Sequence, residues 1–313
     1  MVKQKLKILI PVDGSEQALH AAVYAAKMFP NDRSEMVLFH VDAQNPDLGK
    51  SISGNPLYDA QMKNIDKWMA ADHKVMNQFM DKAVDRILDL DYPESAVSVK
   101  IKKKEDRVLD EIIREARDEY DAVVVGKTGK SRLKDKFIGS LAIKLAGKMN
   151  LIPLIIVDGA PGTDKLLLSV DRREEAFKSI YSIGALLDIQ NFSIAICHVA
   201  RCAAKKIESA DDFEYNSTEH DCPLRDVECI CPSIGSMKEC LIDSGILSSK
   251  ITDLVVSGAN PVSSTLELTQ AKQFGSIIVG RRAFVPFVEE VISGRYSQKM
   301  LKKMENVALW VVN

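Results

Sequence analysis

The sequence predicts an α/β fold built twice, each copy an open parallel sheet with helices on both faces. Three observations carry this expectation. Short apolar, β-rich runs alternate with amphipathic helical patterns along the whole chain. Four of those runs recur in the second half in the same order. A turn-rich stretch, DGAPGTD at 158–164, stands between the two halves.

The repeat is visible at its anchors. LKILIPVD at 6–13 is echoed by KLLLSVD at 165–171, and MVLFHVDA at 36–43 by FSIAICHVA at 192–200. Asp13 and Asp171 are 158 residues apart, and so are His40 and His198. DAVVVG at 121–126 matches GSIIVG at 275–280, and LIPLIIV at 151–157 matches ENVALWVV at 305–312. Four anchors in one order at nearly one offset indicate duplication of a single unit. The expected domains are 1–158 and 165–313.

Within the first unit the pattern reads strand 6–12, then a helix from Ser15 to about Phe29 with Ser15 as N-cap. Strand 36–42 follows, then an irregular stretch carrying Asn45-Pro46 and Gly54-Asn55-Pro56. A long amphipathic helix occupies about 60–90, with Met62, Met69, Met76 and Met80 as core or interface fillers. Strand 96–102 leads to helix 105–119, whose apolar residues recur at three- and four-residue spacing. Strand 121–125, a glycine-bearing segment, helix 140–149 and strand 152–157 complete the unit. Lys100, Lys102, Lys103 and Lys104 read as the solvated end of a strand and its turn.

Composition narrows the function classes. The 313 residues are 46% hydrophobic and only 6% aromatic, with a formal net charge of −2. A near-neutral chain is not a general nucleic-acid or membrane-surface binder. No apolar run approaches the ~20 residues of a membrane span. MVKQKLKILIPVDGS lacks the layout of a signal peptide, so a cytoplasmic location is expected.

The segment VVVGKTGKSRLKDKFIGS at 123–140 contains GKTGKS, which resembles the tail of a P-loop. A P-loop needs a glycine five residues before its Gly-Lys-Ser/Thr glycine. Here those places hold Val124 and Asp121, so that assignment fails on spacing. What remains is Gly126, Gly129 and Gly139-Ser140, spaced G-x2-G-x9-G-S. Glycines let backbone N–H groups approach an anion closely. Gly139-Ser140 opens a helix whose N-terminus attracts negative charge, and Ser140 adds a hydroxyl. Lys127, Lys130, Arg132, Lys134 and Lys136 raise the local potential. Asp13, Val41 and Gly126 end three strands, where open parallel sheets bind ligands. The pattern reads as a split anion site.

VDGS after the first strand, HV after the second and G-x2-G-x9-G-S before the last helix resemble the universal stress protein family, as two tandem copies over nearly the whole chain. The resemblance implies two Rossmann-like domains of the adenine nucleotide alpha hydrolase-like type. It implies ATP, or ADP or AMP, held in the first unit, with Mg²⁺ as an accompanying ion. Asp13 would accept from the adenine amino group beside Pro11 and Val12, and Val41 would read the adenine edge through its backbone. Gly126, Gly129, Gly139 and Ser140 would hold ribose and phosphates, with Lys130, Ser131 and Leu141 as neighbours. The implied role is regulatory, in the stress response. The last strands, 152–157 and 307–312, would pair within the chain as a pseudo-dimer of the two units, with homodimer assembly also open.

The second unit departs from the pattern. Gly280 is kept, but Ala283 replaces the second glycine, and Arg295 replaces the serine after Gly294. Pro286 removes an N–H donor, and Glu289 and Glu290 add unfavourable charge. Asp171 and Val199 persist, but Arg281, Arg282 and Arg295 suit a different anion if any. The motif in this unit is degenerate.

All six cysteines fall between Cys197 and Cys240. Cys197 and Cys240 read as core, and His40 and His198 as core or edge histidines. His220, Cys222, Cys229 and Cys231 supply four soft ligands, a number suited to tetrahedral zinc, although Cys-x-Cys is not the usual knuckle. They lie in a stretch, about 201–235, expected to be a Cys-rich insertion replacing the irregular loop of the first unit. Two further function classes therefore stay open: a slow ATPase or phosphotransferase, for which no general base or acidic metal pair beyond Asp13 is evident, and a metal or redox sensor centred on 220–231.

Overall fold

The computed structural model describes residues 5–42, 73–129, 140–170, 180, 183–200, 224–258, 260–280 and 295–312. In the first half these form β1 (Leu6–Pro11), α1 (Glu16–Met28), β2 (Ser34–Asp42), α2 (helical over 73–88), β3 (Val97–Lys103), α3 (Val108–Glu115), β4 (Ala122–Gly126), α4 (Ser140–Lys148) and β5 (Leu154–Val157). The second half repeats the series. It contains β6 (Lys165–Ser169), α5 (helical at 180 and 183–186), β7 (Ser193–Ala200), α6 (Leu224–Asp243), β8 (Ile251–Ser257), α7 (Pro261–Ala271), β9 (Ser276–Gly280), α8 (Arg295–Lys303) and β10 (Ala308–Val312).

The ten strands make one sheet in the order β3-β2-β1-β4-β5-β10-β9-β6-β7-β8. Every pairing is parallel except β5 with β10, which run antiparallel with Leu309 opposite Ile156. In each half the chain moves outward over three strands, then crosses back to the other side of the first. The strand order therefore reverses between β1 and β4, and again between β6 and β9.

Alternation along the strands builds two cores. Ile8 and Ile10 of β1 face one side of the sheet with α1 and α2, whereas Leu9 faces the other with α3 and α4. This is the two-residue period of a strand buried on both faces. α1 starts at the predicted cap, where the Ser15 side chain accepts from the Ala18 N–H at 3.1 Å. Its Ala18, Ala21, Ala22, Ala25 and Ala26 are buried, a small-residue stripe that seats the helix close to the sheet.

The duplication extends to individual hydrogen bonds. Val12 N–H donates to the Phe39 carbonyl and Val170 N–H to that of Cys197, both at 2.8 Å. His40 Nδ1 lies 3.0 Å from the Val12 carbonyl, and His198 Nδ1 lies 3.1 Å from that of Val170. A carbonyl only accepts, so in both rings Nδ1 carries the proton.

Both cores run continuously through the two halves. Trp310 of β10 is fully buried, and its indole N–H donates to the Tyr24 hydroxyl of α1 at 2.8 Å. That hydroxyl also meets Ser276 Oγ of β9 at 2.6 Å. Burial drives the Tyr24 phenol well above its ordinary pKa.

Lys100, Lys103 and Lys104 are exposed at the end of β3 as expected, and Lys102 is half-buried. Lys100 and Lys102 also pair with Glu115 at 2.7 Å and Glu111 at 2.8 Å, carboxylates that α3 turns away from solvent. Alternation on a lone strand cannot reveal that α3 turns two acids onto it. Two local expectations need correction. Residues 224–235 of the expected insertion belong to helix α6, because that stretch repeats the place of α2. Cys240 is half-buried at the edge of the core rather than within it. Met76 and Met80 are buried as expected, while Met62 and Met69 lie outside the described residues.

Candidate functional site

The strand order reverses between β1 and β4, and the space beyond their carboxyl ends is the usual ligand position in open sheets of this kind. β1 delivers Pro11, Val12 and Asp13 to it, β2 delivers Val41, and β4 delivers Gly126. Three short-range features and one contact from β2 shape the β1 side. Gly14 takes a positive φ of 78°, which turns the chain sharply. The Asp13 carboxylate accepts the Ser15 N–H at 3.0 Å through Oδ1. Ser15 then caps α1, and the His40 ring holds the Val12 carbonyl.

The β4 side approaches from across the crevice. Asp13 Oδ2 stands beside Gly129, where a β-carbon on that residue would overlap it. A β-carbon on Gly126 would sit 2.8 Å from the backbone oxygen of Gln17 in α1. Neither glycine has a positive φ. Both are required by proximity: Gly126 lets β4 pass α1, and Gly129 lets the following turn reach Asp13. Val41 is buried and packs in the α3/α4 core.

From Gly129 the chain leads to α4, which begins at Ser140. Ala142, Leu145, Ala146 and Met149 are buried at helical spacing, and Leu141 packs half-buried beside them. This seats α4 on the sheet. Lys130, Ser131 and Gly139 lie outside the described residues, as does the side chain of Ser140.

Lys127 corrects the electrostatic expectation. Its ammonium turns away from the crevice and donates to the Met304 carbonyl at 2.5 Å, with Asp158 Oδ2 at 3.4 Å. No local feature of GKTGKS announces this, because both partners come from the seam between the halves.

The equivalent place in the second half is built differently. Tyr296, one residue into α8 where α4 has Leu141, places its hydroxyl 3.0 Å from Ser169 Oγ and 2.8 Å from Thr265 Oγ1. Burial raises this phenol's pKa. Asp171, Arg281, Arg282, Ala283, Pro286, Glu289, Glu290 and Gly294 lie outside the described residues.

Of the candidate metal ligands, His220 and Cys222 lie outside the described residues. Cys229 and Cys231 fall on the backbone of α6, with side chains outside them. Among the described residues, no group of three or more His, Cys, Asp or Glu could hold a metal ion. Also among them, no helix is long and apolar enough to cross a membrane. Cys197 is fully buried in β7, and burial pushes its thiol up to about 12.

Residues 6–158 match the model of the Universal stress protein family. No curated protein sequence matches the chain. Among solved structures, a universal stress protein from Archaeoglobus fulgidus is similar over 98% of this chain and 98% of its own, with a TM-score of 0.60 and 16% identity. A functionally unknown protein from Pseudomonas aeruginosa PAO1 is similar over 99% of this chain and 93% of its own, with a TM-score of 0.55 and 13% identity. At such identities the likeness is one of fold, and it extends over both halves.

Proposed function

Residues 6–158 form a universal stress protein domain, and from that premise we propose that the first half binds an adenine nucleotide, ATP foremost, in the crevice between β1 and β4. The observation that carries this reading is the meeting of Asp13 with Gly129 across the strand-order reversal. It brings the one carboxylate of the motif beside the turn expected to carry phosphate.

In this reading Asp13 accepts from the adenine amino group, flanked by Pro11 and Val12, and the backbone of Val41 meets the adenine edge. Gly126, Gly129, Gly139 and Ser140 hold ribose and phosphates, with Lys130, Ser131 and Leu141 beside them. The α4 N-terminus offers its first-turn N–H groups and a favourable dipole for the phosphate charge. The domains run 1–158 and 165–313. The second, with its degenerate motif, serves as a packing partner in an intramolecular pseudo-dimer rather than as a second ATP site. The role is regulatory, with nucleotide occupancy as the signal rather than turnover.

Thermal unfolding with and without ATP, alongside mass spectrometry of nucleotide carried through purification, tests the reading. At a hundred times the dissociation constant a ligand stabilises by about 2.7 kcal/mol, a readily measured shift in Tm. Protein that carries no adenine nucleotide and melts unchanged in ATP would refute it.

A further inference from the structure

Resting on the nucleotide reading above, we infer that Lys127 couples occupancy of the β1/β4 crevice to the packing of the second half against the first. Lys127 directly follows Gly126 at the end of β4, two residues before Gly129, and its N–H is held by the Val157 carbonyl of β5 at 2.8 Å. Its side chain is only 11% exposed. The ammonium is divided between the Met304 carbonyl, just past the end of α8, and the carboxylate of Asp158, just past the end of β5. A cation at a helix C-terminus is favourably placed.

The surrounding contacts form a closed ring. The Asp158 oxygen that faces Lys127 also accepts the Asn306 N–H at 3.1 Å. Asn306 Oδ1 accepts the Ala160 N–H at 2.9 Å, and Gln17 Oε1 accepts the Gly159 N–H at 3.2 Å. Gln17 in turn is the residue whose backbone stands against Gly126. Gly159 and Asn306 both hold positive φ, at 65° and 51°, where the chain turns at the joint of the two halves.

A buried ammonium cannot leave its acceptors without replacements, because the uncompensated charge is costly in a site closed to water. A nucleotide that reorients the 126–129 turn must therefore move Lys127 together with residues 304–307. Coupling of this kind is reciprocal: whatever biases the seam biases nucleotide affinity equally.

Hydrogen exchange on the full chain, with and without saturating ATP, tests this. In the wild type, ATP slows amide exchange at 126–129, and also at 304–308 by at least threefold. In Lys127→Met the first effect persists at saturating ATP, while the second disappears; Lys127→Arg keeps both. Protection at 126–129 with no change at 304–308 in the wild type would overturn the coupling alone. So would both effects persisting in Lys127→Met. If Lys127→Met does not fold, Asp158→Asn, which removes the counter-charge but keeps an acceptor, halves the effect at 304–308 or more, and an undiminished effect overturns the coupling. No ATP-dependent change anywhere rejects the nucleotide reading itself, and the coupling with it.

Discussion

The carboxylate of Asp13 occupies the place a β-carbon on Gly129 would need, across the point where the strand order of the first half reverses. One residue follows β1 and the other follows β4, so neither local turn specifies the contact.

Alanine at the two glycines separates binding from stability. In Gly129→Ala the new methyl displaces the end of the Asp13 side chain, which can rotate, so stability falls by less than about 1 kcal/mol. ATP affinity falls tenfold or more, about 1.4 kcal/mol. In Gly126→Ala the methyl meets the backbone of Gln17, which cannot rotate away. Overpacking of this kind costs about 1–3 kcal/mol of stability. Paired denaturation curves and ATP titrations check the contrast, and equal effects in both assays for both variants would contradict it.

The seam between the halves depends on Tyr24. Tyr24→Phe leaves the Trp310 indole N–H and the Ser276 hydroxyl without their shared partner, at a cost of about 1–3 kcal/mol. Truncating Trp310 to alanine removes a fully buried side chain, at about 3–5 kcal/mol. Tyr24→Phe combined with Ser276→Ala should destabilise by less than the sum of the two single changes, since both break one interaction. Urea titrations of the four proteins provide the cycle.

The α3–β3 ion pairs give a defined pH response. The Lys102 hydrogen bond holds the Glu111 carboxyl below the usual carboxylate range. A depressed acid contributes stability that is present above its unfolded pKa and is lost as pH falls through its folded value. Lys102 is raised by the same hydrogen bond, so its contribution is present below the ordinary lysine pKa and is lost only as pH rises through the raised value. The stability gap between wild type and Glu111→Gln should thus be widest from about pH 6 to 9, and narrow below the carboxylate range, about pH 4. A gap that does not change with pH would show that the pair acts through packing alone.

Cys197 should be chemically silent in the folded protein. It is fully buried, and its thiol is pushed up to about 12, so almost none is thiolate at neutral pH. Native-state labelling at pH 8, followed by peptide mapping, should leave Cys197 unmodified until denaturant is added. Labelling at the rate of an exposed thiol would contradict the burial.

The sequence by itself determined what is written in local periodicity: the strands, the Ser15 cap, the two-face burial of β1 and the duplication, down to matched histidines at His40 and His198. Hydrophobic alternation and capping act within a few residues, so they survive in a linear reading. The motif residues of the first half were also legible, because glycine and aspartate at fixed spacing are a one-dimensional signal. Only the tertiary structure decided which of them meet. Gly129 is small because Asp13 arrives there, Lys127 points away from the crevice because Met304 and Asp158 accept it, and Lys100 and Lys102 are neutralised by acids beneath α3. Each of these depends on strand order and on the antiparallel joint of β5 with β10, which bring together groups far apart in the chain, and no spacing along the sequence encodes that.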